Sequence, residues 1–501
     1  MLDFSRSAGV LLHISSLHSK YGIGSFGKEA FDFVDFLQAC GFRYWQVLPL
    51  GPTGYGDSPY QVFSSFAGNP YFIDLSFLLN EKLLLKKELD SFDFGSEEKT
   101  CDYGKLYTER EKVLRLAFER FKTKNKMQIC EKYLIEKFGS LYKQLEAYFL
   151  FCVLKNKNKR SWFDEAENIK MRKSETIIDL QKTFADDINF YKFTQYLFFK
   201  QYFDLKEYAN NAGIKIIGDL PFYSPYDSCD CWANSEFFSF DKNLSLSFVG
   251  GCPPDAFSDD GQYWGMPTYN WEAMRKNDYD YFMQRFEFNL KLFDVVRLDH
   301  FRGFESFWEI DATEKTARNG NWIKSDGKNL FTIFKNRFSS APFIAEDLGV
   351  ITDEVRNLQT FCGFPGMKVL QFAFDDDGQS TYLPQNYTDV FSVVYTGTHD
   401  NSTILGWLKT ENKNATNFAQ KYLLTKNEKT FVQNFIRLAF SAVSFLAIVP
   451  IQDFLCLDET ARMNTPATMG NWTWRMTSKD FSNLKKDTKK IKELLKMYNR
   501  I

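Results

Sequence analysis

Three short apolar runs in this sequence each end on a carboxylate, and this repeated pattern is the feature that most restricts the fold. The three runs are Asp294–Gly303, Ala341–Gly349 and Ser392–Asn401. The carboxylates that follow their apolar residues are Asp299, Glu346 and Asp400. A (β/α)₈ barrel assembles its functional site from side chains at the C-terminal ends of separate strands, so the pattern predicts this architecture.

The first of these runs also carries Arg297, two residues before Asp299. Side chains two residues apart in a strand lie on the same face, and buried strands rarely contain a charged pair. Arg297 and Asp299 could form a structural ion pair at the end of a strand. They could equally belong to a site, in which case Arg297 should keep Asp299 ionised.

Eight strand candidates occur along the chain, with helical stretches between them. They are residues 9–13, 44–50, 214–221, 294–299, 342–346, 367–374, 391–396 and 444–450. Residues 28–40 show apolar positions at helical spacing before Gly41, as expected for a helix that connects two strands. The alternation favours an α/β protein with a TIM-type (β/α)₈ barrel over an open doubly wound sheet.

Two stretches are too long to be ordinary connections in such a barrel. Residues 76–188 look helical and predict an inserted helical subdomain, whereas residues 222–290 are rich in loops and predict a second insertion over the barrel mouth. We therefore expect one catalytic barrel over residues 1–501 with two insertions, and no separate β domain after the last strand. The chain ends instead in a Lys-rich helix, residues 483–498.

Composition excludes several classes of function. The chain has 501 residues, a formal net charge of −2 and one short basic run, so nucleic acid is not an expected partner. No apolar run is long enough for a membrane span, no secretion signal is visible, and the nine cysteines show no zinc-site spacing, so we expect a cytoplasmic protein without a metal. No phosphate-binding glycine motif follows a strand, which leaves nucleotide chemistry without support.

Paired carboxylates among aromatic loops suit a sugar substrate. Cleavage of a glycosidic bond with retention needs one carboxylate as nucleophile and another as general acid. Two of the four histidines, His300 and His399, directly adjoin Asp299 and Asp400, and we expect them to bind hydroxyls of the ring being cleaved. Aromatic content is 18%, and several Trp and Tyr residues lie in Gly- and Pro-rich loops where ring stacking on sugars is favoured over core packing.

Several segments resemble the signature segments of 4-α-glucanotransferases, the amylomaltases or disproportionating enzymes of glycoside hydrolase family 77 in the α-amylase clan. The segments are 297–303, 345–349, 395–401, 44–60, 68–71, 218–234, 253–264, 367–374, 462–466 and 470–472. The likeness extends over nearly the whole chain. It implies a barrel enzyme that needs no cofactor and acts on maltooligosaccharides or other α-1,4-glucans, with a glucan or glucose as acceptor.

Carried over residue by residue, the resemblance implies that Asp299 is the nucleophile, Glu346 the general acid/base and Asp400 the third carboxylate. It further implies a set of substrate contacts. They are Tyr60, Asp255, Trp264, Arg297, His300, His399 and Asn471, with Tyr55 in a more peripheral glucan groove. The sequence does not determine donor and acceptor size, cyclic products or oligomeric state, and it is compatible with a monomer.

Three positions depart from the family pattern: Ser402, Ala256 and Ala467. Ala256 leaves the shape of the mouth loop open, and with it the preferred product size. Two alternative functions also stay open. One is an α-glucan hydrolase of the α-amylase clan, although no calcium loop is evident. The other is a non-catalytic glucan-binding protein, although binding alone would not need a paired acid and nucleophile.

Overall fold

The computed structural model describes residues 4–54, 56–124, 126–254, 258–338, 342–375 and 378–501. The predicted contacts Tyr55 and Asp255, and the departure at Ala256, lie outside the described residues.

Twelve strands form two sheets in the described part of the chain. They are β1 (Ser7–Leu11), β2 (Tyr44–Gln46), β3 (Lys215–Leu220), β4 (Phe248–Cys252), β5 (Gln262–Pro267), β6 (Val295–Leu298), β7 (Ser306–Asp311), β8 (Gly320–Lys324), β9 (Phe343–Ala345), β10 (Gly366–Val369), β11 (Ser392–Tyr395) and β12 (Leu446–Pro450).

Eight of these strands pair in parallel in the order β10-β11-β12-β1-β2-β3-β6-β9. The two ends of this order meet where the Ala345 N–H donates to the Pro365 carbonyl at 2.9 Å, which brings the sheet close to a closed barrel. The (β/α)₈ prediction is confirmed, and each predicted strand overlaps one barrel strand. Both faces of these strands are covered, which explains their continuous apolar runs.

Helices surround the barrel and fill the long connections. The α-helices are Lys28–Cys40, Leu75–Asn80, Lys86–Leu89, Tyr103–Thr123, Met127–Phe138, Tyr142–Asn158, Glu167–Lys170, Ser174–Thr183, Ala185–Asn211, Cys229–Ala233, Trp271–Lys276, Asp280–Leu292, Gly327–Arg337, Asp353–Cys362, Ile404–Thr410, Lys413–Tyr422, Glu428–Ser441, Ile451–Phe454, Ser478–Lys486 and Thr488–Met497. None of the helices in these described ranges is long and apolar enough to cross a membrane.

Residues 76–188 are largely helical, and the long helix Ala185–Asn211 connects them to the barrel. It packs against helices Met127–Phe138 and Tyr142–Asn158 and against helix Lys28–Cys40. Phe138 and Phe199 pack edge to face with ring centroids 4.6 Å apart, an example of how the abundant Phe side chains fill this layer. The assignment of residues 76–188 as a separate subdomain stays a prediction.

The second long connection contributes to a four-stranded antiparallel sheet of order β5-β4-β7-β8. Strands β4 and β5 lie within residues 222–290, but β7 and β8 come from residues 306–324, after the first carboxylate run. The sequence does not reveal β4 and β5 because Gly250 and Gly251 interrupt one strand and the register shifts between them. The boundary of this insertion also stays a prediction.

The C-terminal region is helical. Instead of the single helix predicted over residues 483–498, the chain forms two helices, Ser478–Lys486 and Thr488–Met497. The first begins at a capping box in which Thr477 and Asp480 bond reciprocally to each other's backbone N–H.

Candidate active site

The three carboxylates lie at the C-terminal end of the barrel, two directly after a strand and the third in the loop that follows one. Asp299 follows the last residue of β6, and Glu346 follows the last residue of β9. Asp400 lies in the loop between β11 and helix Ile404–Thr410. Parallel pairing of β6 with β9 sets Leu298 beside Ala345, so the first two carboxylates leave neighbouring strands at the same level.

Arg297 is the central cation of the site. The register of β3 and β6 places Asp219 beside Arg297, and the Arg297 Nη1 donates to Asp219 Oδ2 at 2.7 Å and to Asp299 Oδ1 at 2.9 Å. The arginine side chain is only 4% exposed, so solvent screens these contacts weakly. The Tyr60 hydroxyl donates to Asp219 Oδ2 at 2.8 Å and ties the loop after β2 to the same cluster. The ion pair anticipated at this strand end is therefore present, within a larger buried network.

Glu346 is held by backbone N–H groups from two loops. The His300 N–H donates to Glu346 Oε2 at 2.7 Å, and the Leu348 N–H donates to Oε1 at 2.9 Å. His300 has a φ of +46°, a left-handed conformation in which the chain turns sharply after Asp299. Burial, together with the charge of Asp299, raises the pKa of Glu346 to about 7, against the opposing effect of Arg297. A carboxyl group with this pKa can give and take a proton near neutral pH.

Asp400 is held by side chains instead. His399 Nε2 lies 3.3 Å from Asp400 Oδ2, and the Asn464 amide donates to Oδ1 at 2.6 Å. Burial favours a higher pKa, but the contacts with His399 and Asn464 outweigh it and hold the pKa of Asp400 well below its usual range. Asp400 is therefore an acceptor for hydrogen bonds throughout the physiological pH range.

Aromatic rings line the site beside the two histidines. His399 stacks on Tyr60 with ring centroids 5.1 Å apart and an interplanar angle of 19°. His300 meets Trp264, on β5 of the antiparallel sheet, edge to face at 5.1 Å. Burial lowers the pKa of His300 to about 4, so this imidazole is neutral at pH 7. The structure thus brings Tyr60, Trp264 and both histidines to the carboxylates.

Asn471 has a different environment from that expected of a substrate contact. Its Oδ1 accepts from the Thr465 N–H at 3.0 Å, and its Nδ2 donates to the carbonyls of Thr465 and Thr468. Both ends of the amide are therefore engaged with its own loop. Trp472, the next residue, lies 5.9 Å from His399 between ring centroids. Asn471 as a substrate contact stays a prediction.

Three residues of the cluster were not among the predicted site residues: Asp219, Arg462 and Asn464. A signal for Asp219 was present, because residues 214–219 form another apolar run that ends on a carboxylate. Arg462 Nη2 donates to the Asp400 carbonyl at 2.7 Å and its Nε donates to the Asn464 carbonyl, also at 2.7 Å. Arg462 and Asn464 belong to a signature segment, but the sequence does not show that this segment folds back onto Asp400.

The side chains of the cluster that could in principle bind a metal ion are carboxylates, amides and isolated histidines. Within the ranges that the structure describes, no three His, Cys, Asp or Glu side chains are grouped so that they could hold a metal ion. Acid–base and nucleophilic roles are the chemistry that this arrangement supports directly.

A (β/α)₈ barrel with carboxylates at its strand ends and a raised glutamate pKa defines a class of barrel enzymes that act on glycosides. Comparison with known proteins narrows the class. Residues 12–480 match the family model of 4-alpha-glucanotransferases, glycoside hydrolase family 77. The chain belongs to this family, and it is a 4-α-glucanotransferase enzyme acting on α-glucans.

Individual relatives agree with this assignment along the whole chain. The 4-alpha-glucanotransferase of Clostridium butyricum is 45% identical over 493 residues, covering 98% of this chain and 100% of the relative. That of Streptococcus pneumoniae is 46% identical over 480 residues, covering 94% and 93% of the two chains. The solved structure of the amylomaltase from Streptococcus agalactiae, in complex with acarbose, superposes with a TM-score of 0.94 at 37% identity, covering 99% of this chain and 100% of the other.

Proposed function

We propose that the chain transfers segments of α-1,4-glucan to the 4-hydroxyl of a glucan or glucose acceptor by a retaining double displacement. The observation that carries the proposal is the pair of carboxyl groups Asp299 and Glu346. Asp299 accepts a hydrogen bond from Arg297, and the pKa of Glu346 is raised to about 7. One group of such a pair is suited to attack a sugar carbon and the other to donate a proton.

In the first displacement an Asp299 oxygen attacks the anomeric carbon of the donor sugar. The bond from that carbon to the glycosidic oxygen breaks, and Glu346 gives its proton to the departing oxygen. The product is a covalent glucosyl-Asp299 intermediate. Arg297 donates to only one oxygen of Asp299, Oδ1, which leaves Oδ2 for the sugar. Retention requires the two carboxyl groups to be about 5–5.5 Å apart, with the sugar between them.

In the second displacement Glu346, now ionised, takes the proton from the acceptor 4-hydroxyl. The acceptor oxygen attacks the same carbon, and the bond to Asp299 breaks. Because the pKa of Glu346 is about 7, neither form of the group is strongly disfavoured at neutral pH.

Asp400 and the two histidines are proposed to bind hydroxyls of the donor ring. Asp400 accepts from a hydroxyl, and neutral His300 can donate or accept. Hydrogen bonds of this kind that strengthen in the transition state lower the barrier of the glycosyl transfer. We expect acarbose, which is bound in the Streptococcus agalactiae structure, to occupy the same site here.

Transfer requires that an acceptor sugar compete successfully with water. Tyr60, Trp264 and Trp472 place aromatic rings around the histidines, and such rings can stack on an acceptor and exclude water. Maltooligosaccharides, glucose and storage glucans are the proposed substrates, and the proposed role is in maltooligosaccharide and glycogen metabolism in the cytoplasm. Tyr55 and Asp255 remain proposed contacts outside the described residues.

The test is to incubate the purified protein with maltotriose and to follow both the product ladder and the total reducing ends. A ladder of shorter and longer glucans with constant reducing ends is expected. Rising reducing ends would identify the hydrolase alternative. If neither quantity changes while maltotriose still binds, the chain is a glucan-binding protein and the proposed mechanism is wrong.

A further inference from the structure

The loop that carries His399 and Asp400 is held at both ends by a single buried carboxyl group. The Thr396 hydroxyl, at the start of the loop, donates to Asp453 Oδ2 at 2.8 Å. The Ile404 N–H, at its end, donates to Asp453 Oδ1, also at 2.8 Å. Asp453 is 2% exposed and lies in the short helix Ile451–Phe454 directly after β12. One side chain therefore fixes the distance between the two ends of the loop.

Residues of that helix and of the segment after it make further contacts around Asp400. The Gln452 amide donates to the Ala461 carbonyl at 3.2 Å, immediately before Arg462. Glu459 accepts from Arg462 Nη1 at 3.0 Å and also from the Ser402 hydroxyl. Glu459 thus links the end of the Asp400 loop to the arginine that donates to the Asp400 carbonyl.

These contacts converge on the groups that determine the charge state of Asp400. His399, Arg297 and Tyr60 are titratable or charged side chains that interact with the Asp400 side chain, and Arg462 donates to its backbone carbonyl. Asp453, which anchors the loop, is itself titratable, and burial raises its pKa to about 7. The neutral Asn464 amide is the remaining partner, and Arg462 holds its carbonyl. Because burial alone would raise the pKa of Asp400, its low value depends on the placement of His399 and Asn464 to within a hydrogen-bond length.

We propose that Asp453 and Glu459 are positioning residues for Asp400: Asp453 closes the loop between Thr396 and Ile404, and Glu459 joins Ser402 to Arg462. The proposal rests on the proposed role of Asp400 in binding the donor sugar. Neither residue touches the sugar. A hydroxyl at position 402 suits this link, because it can donate a hydrogen bond to the Glu459 carboxylate.

The test compares the variants Asp453→Asn, Thr396→Val and Glu459→Gln with the unmodified protein in maltotriose disproportionation. We expect kcat to fall about 10-fold for Asp453→Asn and Thr396→Val, and less for Glu459→Gln. KM should change little, because a displacement of Asp400 by a fraction of an ångström affects the transition state most. Thr396→Ser keeps the hydroxyl donor and should retain an activity close to that of the unmodified protein.

The pH profile separates positioning from a merely structural role. If the contacts of Asp400 with His399 and Asn464 loosen, burial raises the pKa of Asp400, and the acid limb of the kcat/KM profile moves to higher pH. Glu428→Gln, the same class of change at an exposed salt bridge with Lys409, should leave the profile unaltered. Lower activity with an unmoved acid limb in both Asp453→Asn and Thr396→Val would overturn the proposal.

Asp400→Asn distinguishes this inference from the proposed function on which it rests. If Asp400→Asn abolishes transfer and Asp453→Asn and Thr396→Val behave like the unmodified protein, only the positioning roles are wrong. If Asp400→Asn remains active, the proposed role of Asp400 fails and the inference fails with it. Should Asp453→Asn not fold, Thr396→Val, which keeps the carboxyl group and removes one hydrogen bond, decides the outcome for the loop.

Discussion

Glu346 and Asp400 lie at the same end of the same barrel, yet their surroundings shift their pKa values in opposite directions. Burial favours the protonated form of both. Burial, with a further contribution from the Asp299 carboxylate beside it, raises the pKa of Glu346 to about 7, although Arg297 lowers it. Beside Asp400 stand His399 and Asn464, and its pKa falls below its usual range. Both groups are buried, so the difference lies in the groups beside them: those beside Asp400 outweigh burial, and those beside Glu346 do not.

The two environments also differ in how the fold builds them. Glu346 is bound by backbone N–H groups of the loops after β6 and β9, which are adjacent strands. Asp400 is bound by its own neighbour His399 and by Asn464, 64 residues further along the chain. The first environment follows from strand register, whereas the second requires a distant segment to return to the barrel mouth.

Among substitutions that alter one of these two carboxyl groups or its surroundings, Glu346→Gln is expected to have the largest effect on activity. Loss of the proposed general acid should lower kcat for maltotriose by about 10²–10⁴-fold or more while glucan binding persists. The measurement is initial transfer rate together with equilibrium binding of the same sugar. A donor whose leaving group needs no proton, such as a glucosyl fluoride, should recover the first displacement in Glu346→Gln and not in Asp400→Asn. Unchanged activity of Glu346→Gln would remove its assigned role.

Asn464→Ala should give the next largest effect, because it acts on the other carboxylate. Without the amide donor, burial is less opposed and the pKa of Asp400 rises, so activity should fall about 10-fold at neutral pH and further as the pH is lowered. Kinetics between pH 4.5 and 7 check this expectation. Asn471→Ala is a matched amide deletion on the same loop. If it gives the larger change in KM, Asn471 is a substrate contact as the sequence predicts.

The same contrast separates the features that the sequence could predict from those that it could not. Strand-end carboxylates were predictable, because a short apolar run that ends on Asp or Glu identifies both the strand and the site position. The same rule would have found Asp219. The antiparallel sheet was not predictable, since Gly250 and Gly251 hide the alternation of β4. Nor could composition separate Asn464 from Asn471, because only the tertiary path of their loop decides which amide reaches Asp400.

A third prediction concerns the pH dependence that Glu346 imposes. The proposed mechanism needs Glu346 protonated in the free enzyme, so kcat/KM should decline as the pH rises through about 7, approaching a tenfold loss for each further pH unit. Stability should follow the same group. Its folded-state pKa lies above the ordinary value of 4.5, so the folded state binds the proton more tightly, and stability falls between about pH 4.5 and 7 as that proton is lost. Glu346→Gln should show a smaller decline in Tm over this range, and an identical decline would contradict the raised pKa.

The smallest effect is expected from Ala467→Gly, on the exposed turn between Asn464 and Asn471. Ala467 has a φ of +61°, a left-handed conformation that costs an L-residue roughly 1 kcal/mol more than glycine. Relief of this strain should raise the free energy of unfolding by about 0.5–1 kcal/mol. The conformational entropy that glycine adds to the unfolded chain offsets part of this gain. Ala147→Gly, inside the helix Tyr142–Asn158, should instead lower stability. Because the hydrogen bond from Asn464 to Asp400 does not depend on this strain, kcat of Ala467→Gly should match that of the unmodified protein. A change in kcat would mean that the strained turn itself helps to place Asn464, and that the Asp400 environment is more easily perturbed than its hydrogen bonds indicate.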